Sequence, residues 1–236
     1  MKSYSVTQNL TQKTIFAASA AIVLLALFCA SFFVLEPQIS SGQADTASFR
    51  VRQTITDQTS FLVDPTNVTM PGGGINGLTG GTATGTTQFV VRSNNASGYY
   101  VEIAYFDNAG LYAMRGDEDG GAQIRDYALG AGTPTFNMTA STAAQFAYSV
   151  HSSTTADTAQ AFRYTGSTCN SGSTNTFGKC WKSPLTTAVQ VVNRSSAAVS
   201  GATTTLYFKV NVPSGANPTP TAQTYTATAT LSVFVQ

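Results

Sequence analysis

From Ala47 onward the chain alternates between apolar and polar positions. Ala47, Phe49, Val51 and Ile55 interleave with Ser48, Arg50, Arg52 and Thr54, the period of two expected of a strand with one buried face. TTQFVVR (86–92) reads as a buried strand, NNASG (94–98) as a turn and YYVEIAYF (99–106) as the next strand. Together these predict a hairpin in which Gly98 is free to take a positive φ. Phe146, Tyr148 and Val150 alternate again, and AVQVVN (188–193) returns to strand. In LYFKVNV, Leu206, Phe208, Val210 and Val212 face one side, and Tyr207, Lys209 and Asn211 the other. Near the C-terminus Tyr225, Ala227, Ala229, Leu231, Val233 and Val235 share one parity, with Thr224, Thr226, Thr228, Thr230 and Ser232 on the other. The apolar parity is expected to face a core. Pro213, Pro218 and Pro220 lie in the loop that links this last strand to 206–212, its expected antiparallel partner.

Between these runs stand breakers: the glycine-rich PGGGINGLTGG (71–81), an irregular stretch from 107 to 135 with a short hairpin around AQIRDYAL, and the proline-rich link before the last strand. No amphipathic helical period and no internal repeat occurs after residue 45. Short alternating runs at this spacing predict an all-β chain, a single antiparallel Ig-like or Greek-key β-sandwich of about 7–9 strands.

A different pattern precedes it. Residues 14–35 carry no charge and are almost wholly apolar, with Lys2 and Lys13 before them and Glu36 and Pro37 after. This is an N-terminal hydrophobic helix that reads in two ways. As a secretory signal it is cut near Ala44, with Gly42 as the second small residue. As an anchor it is long enough for a bilayer, which needs about 20 residues, and holds its lysine end inside. Residues 1–44 are therefore signal peptide or membrane anchor, and both readings export 45–236 to the cell surface or as a secreted domain. Cys29 is an apolar filler of that run.

Composition narrows the function. Charged residues make up 10% of the chain and the formal net charge is +1. With no basic stripe, nucleic acid is not an expected partner, because that binding rests on phosphate neutralisation. Solubility falls to Thr, Ser, Asn and Gly, and Thr suits a pleated, half-buried surface.

Three stretches, QFVVRSNNASGYYVEIAY, AQFAYSV and TTTLYFKVNVPSG with PTAQTYTATATLSVFV, resemble exported bacterial β-sandwich surface proteins of the WxL-like, spore-coat-U-like and pilus-subunit-like kinds. The resemblance covers about half of the exported part and implies an envelope or surface role with no catalytic residues. The WxL signature itself is absent, since Trp181 is followed by Lys182 and Ser183, so peptidoglycan binding by that route is not implied.

Cys169 and Cys180 bracket a polar, flexible loop. In an exported segment thiols oxidise, and a disulfide is expected over a zinc site because no C-x-x-C pair exists and His151 is the one histidine. The loop so stiffened carries Phe177 and Trp181. Either aromatic suits stacking against a sugar ring, and packing on the domain rim is the alternative fate of a lone Trp. RGDEDGG (115–121) holds the densest acids, Asp117, Glu118 and Asp119. Oxygen ligands in a glycine-rich loop suit calcium, yet the closing bidentate acid of a twelve-residue calcium loop is missing, leaving a solvated loop tip as the other reading. His151 precedes Ser152 and Ser153, but no G-x-S-x-G elbow accompanies them. Asn67, Asn95, Asn137 and Asn193 each open an N-x-S/T sequon.

The expected function is a non-enzymatic surface or envelope protein with a structural, adhesive or binding role toward envelope partners or glycans. A filament subunit that self-associates by strand donation and a carbohydrate-binding module are the alternatives.

Overall fold

A computed structural model describes residues 49–70, 75–106, 112–128, 132–140 and 142–236. The apolar run 14–35, Cys29, the Ala44 cleavage position and Ala47 lie outside the described residues, as do 71–74 of the glycine-rich loop.

Among the described residues the chain is all-β. The seven-stranded sheet has the order β1 (Thr59–Val63), β2 (Gly81–Ser93), β10 (Ala198–Val212), β6 (Gln145–Ser152), β5 (Gln123–Asp126), β4 (Met114–Gly116) and β11 (Tyr225–Ala227). The three-stranded sheet is β12 (Ala229–Val235), β3 (Tyr99–Tyr105) and β9 (Val189–Arg194), and β7 (Tyr164–Thr165) pairs with β8 (Thr168–Cys169) beside them. One pair is parallel, β5 on β6, so the large sheet is mixed rather than wholly antiparallel. Residues 54–236 form one compact unit.

The alternation read from sequence sets the core. Phe89 and Val91 of β2, Phe146, Tyr148 and Val150 of β6, and Leu206, Val210 and Val212 of β10 bury one face of the large sheet. Val101 and Ile103 of β3 and Val191 and Val192 of β9 meet them from the small sheet. Burying one such side chain is worth about 1.5–3 kcal/mol, and residues of both sheets share this one cluster.

Three expectations about pairing change. TTQFVVR and YYVEIAYF do not form a hairpin, because β2 lies in the large sheet and β3 in the small one. The 94–98 turn crosses between them. Asn95 accepts the Ser97 N–H on its side chain (2.8 Å) and donates to the Gln236 carbonyl (3.1 Å). Gly98 has φ +91°, and a Cβ there would run into the Arg194 carbonyl, so the close approach of β9 dictates glycine. The last strand does not pair with 206–212 either. Both edges of β10 are taken by β2 and β6, so the last strand splits, β11 joining β4 and β12 joining β3. Of its apolar parity, Tyr225, Ala227, Leu231 and Val233 pack partly buried against the core, as befits an edge strand, while Ala229 and Val235 are exposed. Finally, among the described residues the first strand sits at Thr59–Val63, and 49–55 carry no strand. Asn94 clamps its entry, accepting the Gln58 N–H (2.6 Å) and donating to the Thr56 carbonyl (3.1 Å), while Phe61 meets Phe89 edge-on.

Candidate functional site: an aromatic face on the large sheet

The odd positions of β6 and β10 and the even positions of β2 point away from the core. The register sets Thr205 between Gln88 and His151, Tyr207 between Thr86 and Ser149, and Lys209 between Thr84 and Ala147. On β2 this face is open, with Thr82, Thr84, Thr86 and Gln88 all exposed. On β6 it is roofed by the loop that the cysteines close.

Cys169 and Cys180 are joined, with an S–S distance of 2.01 Å and Cα atoms 5.7 Å apart. Further bonds pin the roof. Ser149 donates its hydroxyl to the Lys179 carbonyl (2.5 Å). The Asn175 amide, itself buried, donates to the carbonyls of Val150 and Phe162, each at 2.9 Å. Cys180 takes φ +55° as the chain turns back onto the sheet and donates its N–H to Phe136.

This loop treats its two aromatics in opposite ways. Trp181 is 4% exposed, packs with Tyr127, Met138 and Ala147, and donates its indole N–H to the Gly178 carbonyl (2.9 Å). It is therefore a packing residue and not a presented one. Phe177 is 47% exposed. Its ring stacks on His151 with centroids 3.9 Å apart and planes 24° apart, and reaches Tyr207 at 4.8 Å. The three rings form a continuous aromatic surface beside the Thr86 and Gln88 side chains, with the Gln88 amide donating to Thr205 at 3.1 Å.

Burial keeps the rings of this surface uncharged, with the Lys209 side chain on the same face. Burial lowers the His151 pKa, partly offset by a backbone hydrogen bond, so its imidazole is uncharged at neutral pH. Burial raises the Tyr207 pKa. Lys209, its pKa lowered by burial, lies 5.6 Å from the Trp181 ring centroid and donates to the Met138 carbonyl (2.9 Å). Uncharged aromatic rings with amide and hydroxyl neighbours offer ring stacking and neutral hydrogen bonds.

The other predicted positions fall elsewhere. Asp117, Glu118 and Asp119 are exposed, and the Gln223 amide oxygen accepts the N–H groups of Glu118 (3.1 Å) and Asp119 (3.0 Å). Asp119 turns its carboxylate onto the Gly121 N–H (2.9 Å). Among the described residues no three His, Cys, Asp or Glu side chains gather as a metal site. His151 and Ser152 occupy opposite faces of β6, and Ser152 bonds Thr204 in the interior (2.9 Å). Of the sequon asparagines, Asn95 is buried, Asn137 accepts from Lys179 (2.9 Å) and Asn193 accepts from Gln236, while Asn67 is exposed.

His151 and Tyr207 were not singled out as ligand contacts from sequence, since only the register brings them under Phe177. Their parity did announce an outward face. A comparison of the chain with protein-family models, with curated proteins and with solved structures finds no match.

Proposed function

We propose that this chain is an exported, non-enzymatic surface protein whose two sheets form a β-sandwich that binds through the face built from Phe177, His151 and Tyr207. The observation that carries this reading is the half-exposed Phe177 ring, stacked on His151 and tied in place by the Cys169–Cys180 loop. A disulfide agrees with export, as does the charge-free run 14–35. A large side chain held at the surface by a cross-link and a stack is organised for contact, because its ordering cost is already met in the free protein. Neutral glycans are the ligand class that fits, since a ring C–H face stacks on Phe177 while Gln88 and Thr86 hydrogen-bond its hydroxyls.

A glycan array probed with the full-length protein tests this, followed by titration of any hit against Phe177→Ala. Binding is expected, weakened about tenfold in the variant, the worth of one aromatic contact. A silent array, or equal binding by both proteins, ends the reading. A filament subunit is the second reading, favoured by the exposure of Phe49, Val51 and Ile55, all on one parity.

A further inference from the structure

Charge is spread unevenly along this chain. All 11 acidic residues lie at or before Asp157, whereas 158–236 carry five basic residues, Arg163, Lys179, Lys182, Arg194 and Lys209, and no acid. Such asymmetry between the parts of a chain asks for an anionic counterpart. Arg194 has one within the molecule, because it pairs with Asp157. The lysines have none.

The three lysines that follow residue 45 converge instead on one uncharged stretch, 132–138. Lys182 donates to the Gly132 carbonyl, Lys179 to Asn137 Oδ1 and Lys209 to the Met138 carbonyl, each at 2.9 Å. Lys179 Nζ also lies 4.5 Å from the Phe136 ring centroid, and Lys209 Nζ 5.6 Å from that of Trp181. Among the described residues no carboxylate comes within ion-pair reach of any of the three. Asp126, the one acid on a strand of the large sheet, is buried and accepts the Ala113 N–H. An ammonium group has three N–H donors, so a single neutral oxygen leaves each with donors to spare. Positive charge drawn out of water without a counter-ion is costly, and an arriving anion relieves that cost. Lys182 is buried and adds only its field, while Lys179 and Lys209 are partly exposed. Lys209 also follows Tyr207 on the same face of β10, about 6.8 Å further along the strand.

We propose that Lys179 and Lys209 form an anion subsite beside the aromatic face, so that the glycan bound there is an acidic one. A neutral unit stacks on Phe177, and an adjoining unit sets its carboxylate or phosphate oxygens against the ammonium groups. The inference rests on the glycan reading for the class of polymer and adds the charge that the polymer carries.

The test sorts a glycan array into neutral, uronate-bearing and phosphate-bearing members and probes it with the full-length protein. Lys179→Gln, Lys209→Gln and Arg92→Gln follow, the last removing an exposed cation of β2 as a control. Glutamine keeps an N–H for the neutral oxygens and removes only the charge. Acidic glycans are expected to bind more tightly than neutral ones of the same length, and the preferred class tells carboxylate from phosphate. Each lysine variant is expected to lose about tenfold on the acidic hit, the worth of one charge-assisted hydrogen bond, while its binding of neutral glycans stays as it was. Added salt is expected to narrow the gap between acidic and neutral members, and Arg92→Gln to leave it in place. Equal binding of acidic and neutral glycans overturns the subsite and leaves the glycan reading standing. So does a loss in Arg92→Gln as large as in the lysine variants, or a lysine variant that loses both classes alike. An array silent in every class overturns both.

Discussion

Two tyrosines bring hydroxyls into the core without anything to bond. Tyr105 and Tyr148 are 5% and 0% exposed, their ring centroids lie 5.3 Å apart, and neither hydroxyl has a hydrogen-bond partner. Burial raises both pKa values well above the ordinary phenol range. The rings contribute packing area, whereas an unmet buried donor costs about 1–3 kcal/mol. Tyr148→Phe keeps the ring and removes the group that lacks a partner. It is expected to be neutral or to stabilise by about 1 kcal/mol, read as a raised urea midpoint with an unchanged slope. A loss larger than about 1 kcal/mol would show that the hydroxyl makes a bond that its surroundings do not suggest. Alternation alone placed Tyr148 inside, beside Phe146 and Val150. It gave no view of the hydroxyl, whose fate depends on Tyr105, a residue of the other sheet.

At the scale of elements, what could be read from the chain was most of the strands, though not the first at Thr59–Val63, and what escaped was their pairing. Period-two stretches mark LYFKVNV, YYVEIAYF and the last strand because each feels its own burial pattern locally. Partner choice is a competition across the whole chain. β10 lost its expected neighbour because β2 and β6 each pair with it over eight or more residues, a longer ladder than the divided last strand offers. The Cys169–Cys180 link was legible for a local reason, the short polar loop between the two residues. Which aromatic that loop presents was not, because both Phe177 and Trp181 follow from the same composition, and only the pocket formed by Tyr127, Met138 and Ala147 selects Trp181 for burial. This sets up the loop's test. Replacing both cysteines by serine frees a short loop and is expected to cost about 3 kcal/mol in the chain-entropy account, measured by denaturant unfolding. Trp181 is the sole tryptophan, so its emission reports the roof directly and is expected to shift to the red as the loop lifts. An unshifted spectrum with unchanged stability would mean that Ser149, Asn175 and the Trp181 pocket hold the roof without the cross-link.

For the whole molecule, charge is scarce and the titration curve of stability is correspondingly simple. One histidine serves the entire chain. Its pKa is lowered below the ordinary 6.5 by burial, so the unfolded state binds a proton that the folded state resists. Stability from this source is complete above pH 6.5 and declines as the pH falls through the folded value. At the alkaline end the sign reverses. Burial raises the pKa of Tyr99 to about 12 and those of Tyr105 and Tyr148 well above 10, so the folded state keeps protons that the unfolded chain releases near pH 10. That contribution is present below pH 10 and is lost as the pH climbs towards the folded values. Lys182 and Lys209, with pKa values lowered by burial, act in the opposite sense and soften the alkaline fall. Melting temperature measured from pH 5 to 11.5 is therefore expected to trace a plateau between about pH 7 and 9.5 with a decline on each side. His151→Phe retains a ring for the Phe177 stack and removes the proton site. It is expected to flatten the acid shoulder between pH 7 and 5.5 and to leave the alkaline limb in place. An acid shoulder of equal depth in that variant would assign it to carboxylates and leave the stacked imidazole without influence on the fold.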